Sequence, residues 1–165
     1  MPDLLVKLYD LADPASRVSA LRERNITVRR AMPYERYPVL SWVRERFGEG
    51  WAGECAAAFA SPPARCFVAV REGAILGFAC FDCTCPDFFG PTGVDENERG
   101  RGIGAALLLS ALHAMAASGY AYAIIGGAGA TALYEKVAGA VPIAGSVPGI
   151  YRDGLKPADR GGPRR

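Results

Sequence analysis

The sequence has 165 residues, which is enough for one domain to bury its own core without disulfides or metals. Half of the residues are hydrophobic, and 19 lysines and arginines against 17 aspartates and glutamates leave a net charge of only +2. This balance gives no broad basic surface, so no nucleic-acid partner is expected. The most apolar run, residues 103–117, is too short to span a membrane, so no membrane association is expected either.

The cysteines indicate a reducing compartment. They are five in number, which is odd, and three of them are close in sequence: Cys80, Cys83 and Cys85. No cleavable signal segment is recognisable, so we expect free thiols and a cytoplasmic location. A zinc finger would need a second cysteine pair or more than the single histidine, His113, and no metal is therefore predicted. His113 is expected to be packed or half-exposed rather than catalytic.

The first third of the chain is predicted to be one strand and a helix followed by a core strand and two helices. Residues 1–25 are expected to form an N-terminal extension that packs on the domain or on a second subunit. In the second case the protein would be a homodimer. Residues 26–31 alternate apolar and polar side chains and are predicted to be the first core strand. The two helices are expected at about Tyr37–Phe47 and Trp51–Ala60, where glycines and prolines mark their ends.

The middle of the chain predicts a hairpin and then a parallel strand pair. Residues 66–70 and 74–81 read as hairpin strands, and 88–94 as the next strand, in which Pro91 indicates an edge or a disrupted position. The apolar helix 103–117 and the buried strand 120–125 complete a right-handed βαβ unit.

The end of the chain predicts a short helix and two closing strands. The helix is expected at residues 130–138, and the strands at 141–144 and 149–152 are expected to pair antiparallel. Residues 156–165 are predicted to be a disordered tail.

A glycine-rich turn between Val94 and Ala105 is predicted to bind phosphate. It contains Arg99, Gly100, Arg101, Gly102 and Gly104. Glycines let backbone N–H groups approach a ligand closely, and the following helix begins with N–H groups that lack internal partners. The arginines add positive charge suited to phosphate oxygens. No Gly-Lys pair is present, so the turn is not a P-loop, and its glycine spacing does not match a dinucleotide fingerprint.

The turn fits the pattern [RQ]-x-x-G-x-[GA] through Arg99, Gly102 and Gly104. It resembles motif A of the GNAT superfamily, the acyl-CoA-dependent N-acyltransferases, and the resemblance covers residues 26–155 as one acyltransferase domain. It implies an α/β (α+β) fold whose mixed central sheet has about six to seven strands, flanking helices and a splayed parallel strand pair. The residues implied to bind coenzyme A are Val94, Arg99, Gly100, Arg101, Gly102, Ile103, Gly104 and Ala105.

The resemblance also implies a reaction. An acetyl group would pass from acetyl-CoA, as co-substrate and without a metal, to a primary amine of a small molecule or peptide by direct attack in a ternary complex. Tyr134 lies 32 residues after Gly102, where the family's acid tyrosine is expected, and it would protonate the departing thiolate. Backbone N–H groups around Val94 would polarise the acyl carbonyl.

Two parts of the site stay open at the level of sequence. The resemblance implies that the first two core helices and their loop form much of the acceptor wall, and the candidates for contacting the amine there are Tyr34, Trp42, Trp51 and Glu54. The family's common acidic position falls near Phe88, so the base could be Asp82, Asp87, Glu54 or water. The asparagine that the family often has after its long parallel strand is absent, and Gly126–Ala130 stands there instead.

Three alternatives accompany this interpretation. A sensor or assembly module would bind acyl-CoA without turnover. A dinucleotide-dependent oxidoreductase is suggested by Gly127-x-Gly129-x-x-Ala132, but too little chain follows to build the rest of such a fold. A covalent route through Cys83 or Cys85 would need a low-pKa thiolate, and neither residue has a neighbouring histidine or lysine in sequence.

Overall fold

The computed structural model describes residues 1–155, which form a seven-stranded mixed sheet with helices on both faces. The strands are β1 (Leu4–Lys7), β2 (Thr27–Arg30), β3 (Cys66–Arg71), β4 (Ala74–Phe81), β5 (Phe88–Val94), β6 (Tyr122–Ile125) and β7 (Val141–Pro142). The helices are α1 (Ala15–Arg22), α2 (Arg36–Phe47), α3 (Glu49–Ala57), α4 (Ile103–Ala117) and α5 (Thr131–Ala138). Among these residues, no helix has both the length and the apolar character to cross a membrane. The predicted tail, 156–165, lies outside the described residues.

The strand order is β2-β3-β4-β5-β6-β1-β7, and β5 and β6 are the parallel pair. All other neighbours pair antiparallel. This arrangement confirms the predicted mixed sheet with its single βαβ crossover through α4. The sequence did not predict where β1 would lie: it pairs with β6 on one side and β7 on the other, and Leu4 and Val6 are fully buried. A domain boundary near residue 25 stays a prediction, although β1 is an internal strand.

The side chains on the two faces of the sheet belong to two separate hydrophobic cores, because side chains alternate along each strand. On one face, Cys66, Val68 and Phe78 pack against buried side chains of α2 and α3. On the other face, Ala69 and Ala79 belong to the core that contains α4. The sheet is therefore covered on both sides, which is the expected environment of a parallel strand pair.

Helix α4 is buried along most of its length, as its nearly continuous apolar sequence predicts. Gly77 of β4 allows the helix to lie close to the sheet. A Cβ atom at Gly77 would be 3.0 Å from Leu107 Cδ1 and 3.3 Å from Ile103 Cγ2, closer than most Cβ contacts. The start of α4, which follows the glycine-rich turn, is thereby fixed against the sheet.

The predicted antiparallel pair of closing strands is wrong, although the first strand forms in part within its predicted bounds. Only Val141–Pro142 is extended, and it pairs with β1 rather than with the chain that follows. Residues Gly149–Tyr151 form a short 3-10 helix, and Gly149 has a φ of +59°, which is left-handed rather than extended. Pro142 has no N–H group, so it cannot donate a hydrogen bond to extend the ladder.

Strand β5 contains a bulge where it leaves β6. Phe89 pairs with Phe81 of β4 and Thr92 pairs with Ala79, so β5 has one extra residue between these pairs, at Gly90–Pro91. The pairs between β5 and β6 are Phe88 with Ile124 and Phe89 with Ile125. The prediction that Pro91 marks a disrupted position is confirmed.

The Phe47 ring at the end of α2 lies directly over Gly93 of β5, where any Cβ atom would overlap it. We expect Gly93→Ala to lower Tm by several °C, because overpacking typically costs about 1–3 kcal/mol and each kcal/mol shifts Tm of a domain this size by about 2–4 °C. The measurement is thermal unfolding by circular dichroism. Gly53→Ala is the matched control, because Gly53 lies on an exposed part of α3 with open space around it. Equal Tm values for the wild type and Gly93→Ala would contradict this contact.

Candidate active site

The edge of β5 beyond the bulge faces a gap rather than a strand, and two cavities lie along it. The first has a volume of about 580 Å³ and extends from Thr92 and Val94 to the glycine-rich turn and α5. The second, of about 470 Å³, extends from Thr92 back to Phe88 and the loop after β6. Trp51 and Thr92 line both cavities, so the two spaces adjoin at the middle of β5.

The first cavity ends at the start of α4, where the backbone can bind an anion. Gly100 and Gly102 have φ values of +73° and +85°, which side chains rarely tolerate, and Gly102 is the N-cap of α4. The next three residues, whose N–H groups have no intrahelical acceptors, all line the cavity. These residues are Ile103, Gly104 and Ala105.

The two arginines of the turn occupy different positions. Arg99 lines the cavity, and its side chain is 59% exposed, with Glu96 as an exposed partner at 3.8 Å. Arg101 does not line it. Its Nη1 donates to Glu98 Oε2 at 3.1 Å, and the opposite Glu98 oxygen accepts from Arg71 Nη2 at 2.6 Å. Of the residues predicted to bind coenzyme A, all except Arg101 therefore lie around this cavity.

Glu98 and Arg71 are structural parts of the turn that the sequence analysis missed. Glu98 is 91% buried yet paired on both sides, so its charge is compensated and it ties the turn to the end of β3. The backbone carbonyl of Arg101 also accepts from Arg24 Nη1 at 3.1 Å. Nothing in the local sequence indicates these contacts, because Arg71 is 27 residues and Arg24 77 residues from its partner.

A second ion pair holds the other end of the turn. Arg46 Nε donates to Asp95 Oδ2 at 2.8 Å, and this hydrogen bond holds the pKa of Asp95 below its usual range. The Arg46 guanidinium also lies 4.6 Å from the centre of the Trp42 ring. Trp42 itself is buried in the core and lines neither cavity, and Tyr34 is 80% exposed away from both.

Tyr134 lies in the first cavity, opposite the turn. Only 8% of it is exposed, its ring packs edge-on against Phe89, and burial raises the pKa of its hydroxyl. The phenol therefore stays protonated at neutral pH. Leu133, the residue before it, has its Cδ2 atom 3.8 Å from the position that a Cβ atom would take at Gly104. α5 therefore packs directly against the first turn of α4.

The second cavity has aromatic walls and a single carboxylate among its described lining residues. Trp51, Phe88 and Tyr151 form much of its surface, and Glu54 of α3 is the acidic group. Glu54 Oε1 accepts from Thr84 Oγ1 at 2.6 Å. Burial, with smaller effects from carboxylates that include Glu54, raises the pKa of Tyr151. Tyr151 was missed because its segment was predicted to be a strand.

The other candidate bases and nucleophiles lie outside both cavities. Asp82 accepts from the backbone N–H of Asp87, and burial together with the Asp82 charge raises the pKa of Asp87. Neither carboxylate lines a cavity, and neither do the thiols of Cys83 and Cys85. His113 is half-buried, with its ring Nε2 2.9 Å from the carbonyl oxygen of Ala12, in agreement with the prediction that it is packed or half-exposed.

The glycine loop after β6, Gly126–Ala130, is held by the start of the chain. The N–H of Gly127 donates to Asp3 Oδ1 at 2.8 Å, and Ala128 N–H donates to the carbonyl of Pro2. The strand that follows this loop and α5 is β7, which pairs antiparallel with β1. A dinucleotide-binding fold would continue with parallel βα units, so the oxidoreductase alternative has no structural support among the described residues.

The family model described as Acetyltransferase (GNAT) family matches residues 32–140. The chain belongs to the GNAT acetyltransferase family. The match includes the glycine-rich turn, α4, β6 and Tyr134. No curated protein sequence matches the chain.

Solved structures of GNAT proteins share the fold. A GCN5-related glucosamine N-acetyltransferase region of a fungal multi-domain β-N-acetylglucosaminidase is 16% identical, with a TM-score of 0.69. GCN5-related N-acetyltransferases from Sphaerobacter thermophilus and Kribbella flavida are 21% and 20% identical, with TM-scores of 0.61 and 0.58. Each alignment covers 86% of this chain but only 19%, 48% and 53% of the respective neighbour. The chain thus spans about half or less of these proteins.

Gly104 offers a direct test of the anion site. We expect Gly104→Asp to weaken coenzyme A binding at least tenfold, because a carboxylate would stand where phosphate oxygens must approach the helix N-terminus. The same carboxylate is favourable for an isolated helix at its first turn, so the fold should persist. Gly104→Ala is the control, since its Cβ atom would have ordinary contacts at 3.6 and 3.8 Å. Titration calorimetry measures both, and equal affinities would contradict the assignment.

Proposed function

We propose that this GNAT protein is an N-acetyltransferase that moves an acetyl group from acetyl-CoA to a primary amine by direct attack in a ternary complex. The observation that carries the proposal is the junction of two cavities along the unpaired edge of β5. One cavity has the anion-binding turn at its far end, and the other has an aromatic wall and a carboxylate. Two substrates could therefore meet at Thr92 and Trp51 without sharing space.

The first cavity suits coenzyme A through its backbone. The N–H groups at the start of α4 and the Arg99 guanidinium would hold the pyrophosphate, and the open edge of β5 would receive the amide-containing pantetheine arm. Bound acetyl-CoA supplies the thioester. Backbone N–H groups of β5 near Val94 would polarise its carbonyl as negative charge develops on the oxygen.

Tyr134 is proposed as the acid. It lies in the first cavity, and burial raises the pKa of its hydroxyl, so the hydroxyl stays protonated at neutral pH. Among the described residues no side chain or backbone group forms a hydrogen bond with that hydroxyl, so its proton is available to a departing thiolate. A positioned acid typically contributes about 10²–10⁴-fold to the rate.

Tyr134→Phe tests this role. We expect the single-turnover rate of acetyl transfer to fall by about 10²–10⁴-fold while the affinity for acetyl-CoA changes little, because the ring still fills its place and only the donor is lost. Tyr9→Phe is the matched control, since the exposed Tyr9 pairs with Tyr122 away from both cavities. An unchanged single-turnover rate in Tyr134→Phe would remove Tyr134 from the mechanism.

The second cavity supports an acceptor amine on an apolar or aromatic skeleton. Trp51, Phe88 and Tyr151 offer ring surfaces, and Glu54 offers the negative charge that an ammonium group would seek. Glu54 would bind the ammonium and take its proton, directly or through water, because an amine must be neutral to attack. The glucosamine named for the fungal neighbour is one acceptor to test against this expectation.

The decisive experiment is thiol release from acetyl-CoA with a panel of amines: 2-phenylethylamine, hexylamine, glucosamine and a peptide with a free N-terminus. We expect release above the amine-free rate, greatest for the apolar amines. Glu54→Gln should lower kcat/KM for the best amine by roughly a hundredfold while leaving acetyl-CoA affinity unchanged. Glu49→Gln, on the same helix but exposed beside Arg44, is the control. Tight coenzyme A binding without amine-dependent release would instead support the sensor alternative.

A further inference from the structure

Three cysteines that are far apart in sequence meet under helix α3. Cys55 is on α3, Cys66 begins β3 and Cys80 is near the end of β4, and all three are fully buried. Their Sγ atoms lie within 4.8 Å of one another, and Cys80 Sγ and Cys55 Sγ are 3.6 Å apart. Cys66 and Cys80 are direct partners in the β3–β4 register, so their side chains lie side by side on the face that α3 covers.

This spacing fits a tetrahedral metal site. Zinc binds cysteine sulfur at about 2.3 Å, which places two sulfurs of one tetrahedron roughly 3.8 Å apart. A disulfide would need about 2.05 Å, and all five cysteines are free thiols. Thiolate sulfur is the donor that soft ions prefer, whereas magnesium and calcium prefer oxygen.

A fourth sulfur, that of Cys83, lies at the edge of this group but outside the set of three within 4.8 Å, so its side chain would have to turn toward the other three to complete a tetrahedron. Cys83 packs against the core cluster that contains the other three cysteines, and it follows Cys80 with the C-x-x-C spacing common in zinc sites. Unlike them it is only half-buried, with its Sγ 3.4 Å from the carbonyl of Phe81. It therefore gives the cluster an edge at the protein surface, by which an ion could enter.

We propose that Cys55, Cys66, Cys80 and Cys83 form a binding site for a zinc ion. Each thiol that coordinates the ion releases its proton to solvent, so binding is accompanied by proton release and no electron is transferred. The sequence predicted no metal because a second cysteine pair was missing. The fold supplies that pair by bringing Cys55 and Cys66 to the C-x-x-C segment.

The ion would also stabilise helix α3, whose Trp51 lines both cavities and whose Glu54 lines the second. Cys55 is adjacent to Glu54 and four residues from Trp51 on α3, and the site would link this helix to β3 and β4. α3 is short and begins directly after α2, so a metal crosslink would limit its movement. This consequence rests on the proposed function, but the zinc site itself does not.

Zinc content and cobalt substitution test the proposal on the full chain. Protein purified from zinc-supplemented cells without chelators should contain one zinc ion per chain by atomic emission. After removal of the zinc, Co²⁺ should give the absorption of a tetrahedral four-sulfur site, with thiolate-to-cobalt charge-transfer bands. Mg²⁺ should neither bind nor raise Tm. Substoichiometric zinc, together with a cobalt spectrum typical of six oxygen ligands, would overturn the proposal without involving acetyl transfer.

Variants then identify the ligands. Competition against a chromophoric chelator should show zinc affinity reduced by roughly a hundredfold in Cys55→Ala and in Cys83→Ser, since each loses one of four ligands. Cys83→Ser should disturb folding less than Cys55→Ala, because Cys83 is half-buried whereas Cys55 is fully buried. Cys85→Ser is the control and should keep full affinity, because Cys85, unlike Cys83, does not pack against the core that contains the three buried cysteines. Zinc affinity equal to wild type in Cys83→Ser and Cys55→Ala would show that the ion binds elsewhere.

Discussion

The early loss of pairing between β5 and β6 is the constraint on which the site depends. Two parallel strands normally continue their ladder, because unpaired backbone groups that are buried cost free energy. Here the bulge at Gly90–Pro91 rotates β5 away directly after Phe89, and Pro91 has no N–H group to offer. The remaining backbone groups on that edge face cavities instead of a strand. A ligand with amide groups can satisfy them as a strand would.

The position of the candidate site follows from this divergence and from strand direction. The carboxyl ends of parallel strands lie at the same edge of a sheet, so the turn after β5 and the loop after β6 must be neighbours. α4 begins from the first and α5 from the second, which places Tyr134 across the cavity from the helix N-terminus. Gly77 lets α4 approach the sheet, so the end of the cavity at the start of α4 is fixed by core packing.

Local patterns in the sequence predicted most of these elements. The apolar run from Ile103 to Ala117, the hairpin around Gly73 and the turn glycines depend on neighbours in sequence, and the structure has all of them. The place of β1 could not be predicted in this way, because Leu4 and Ile125 meet only through the sheet register. Glu98 gave no signal either, since its need for Arg71 arises from burial that only the fold creates.

The arrangement of charge around the turn gives its glycines and its arginines different roles. Glu98 pairs with both Arg71 and Arg101, and Asp95 pairs with Arg46, so these three guanidinium groups brace the turn. Arg99 remains at the cavity, exposed to water and therefore screened by salt. The N–H groups at the start of α4 add partial positive charge at the same end of the cavity, and their directions follow from the left-handed conformations of Gly100 and Gly102. The directions of these backbone N–H groups depend on the path of the chain and not on side chains. An anion at this site would therefore meet backbone N–H groups at the start of α4 and the Arg99 guanidinium at the rim.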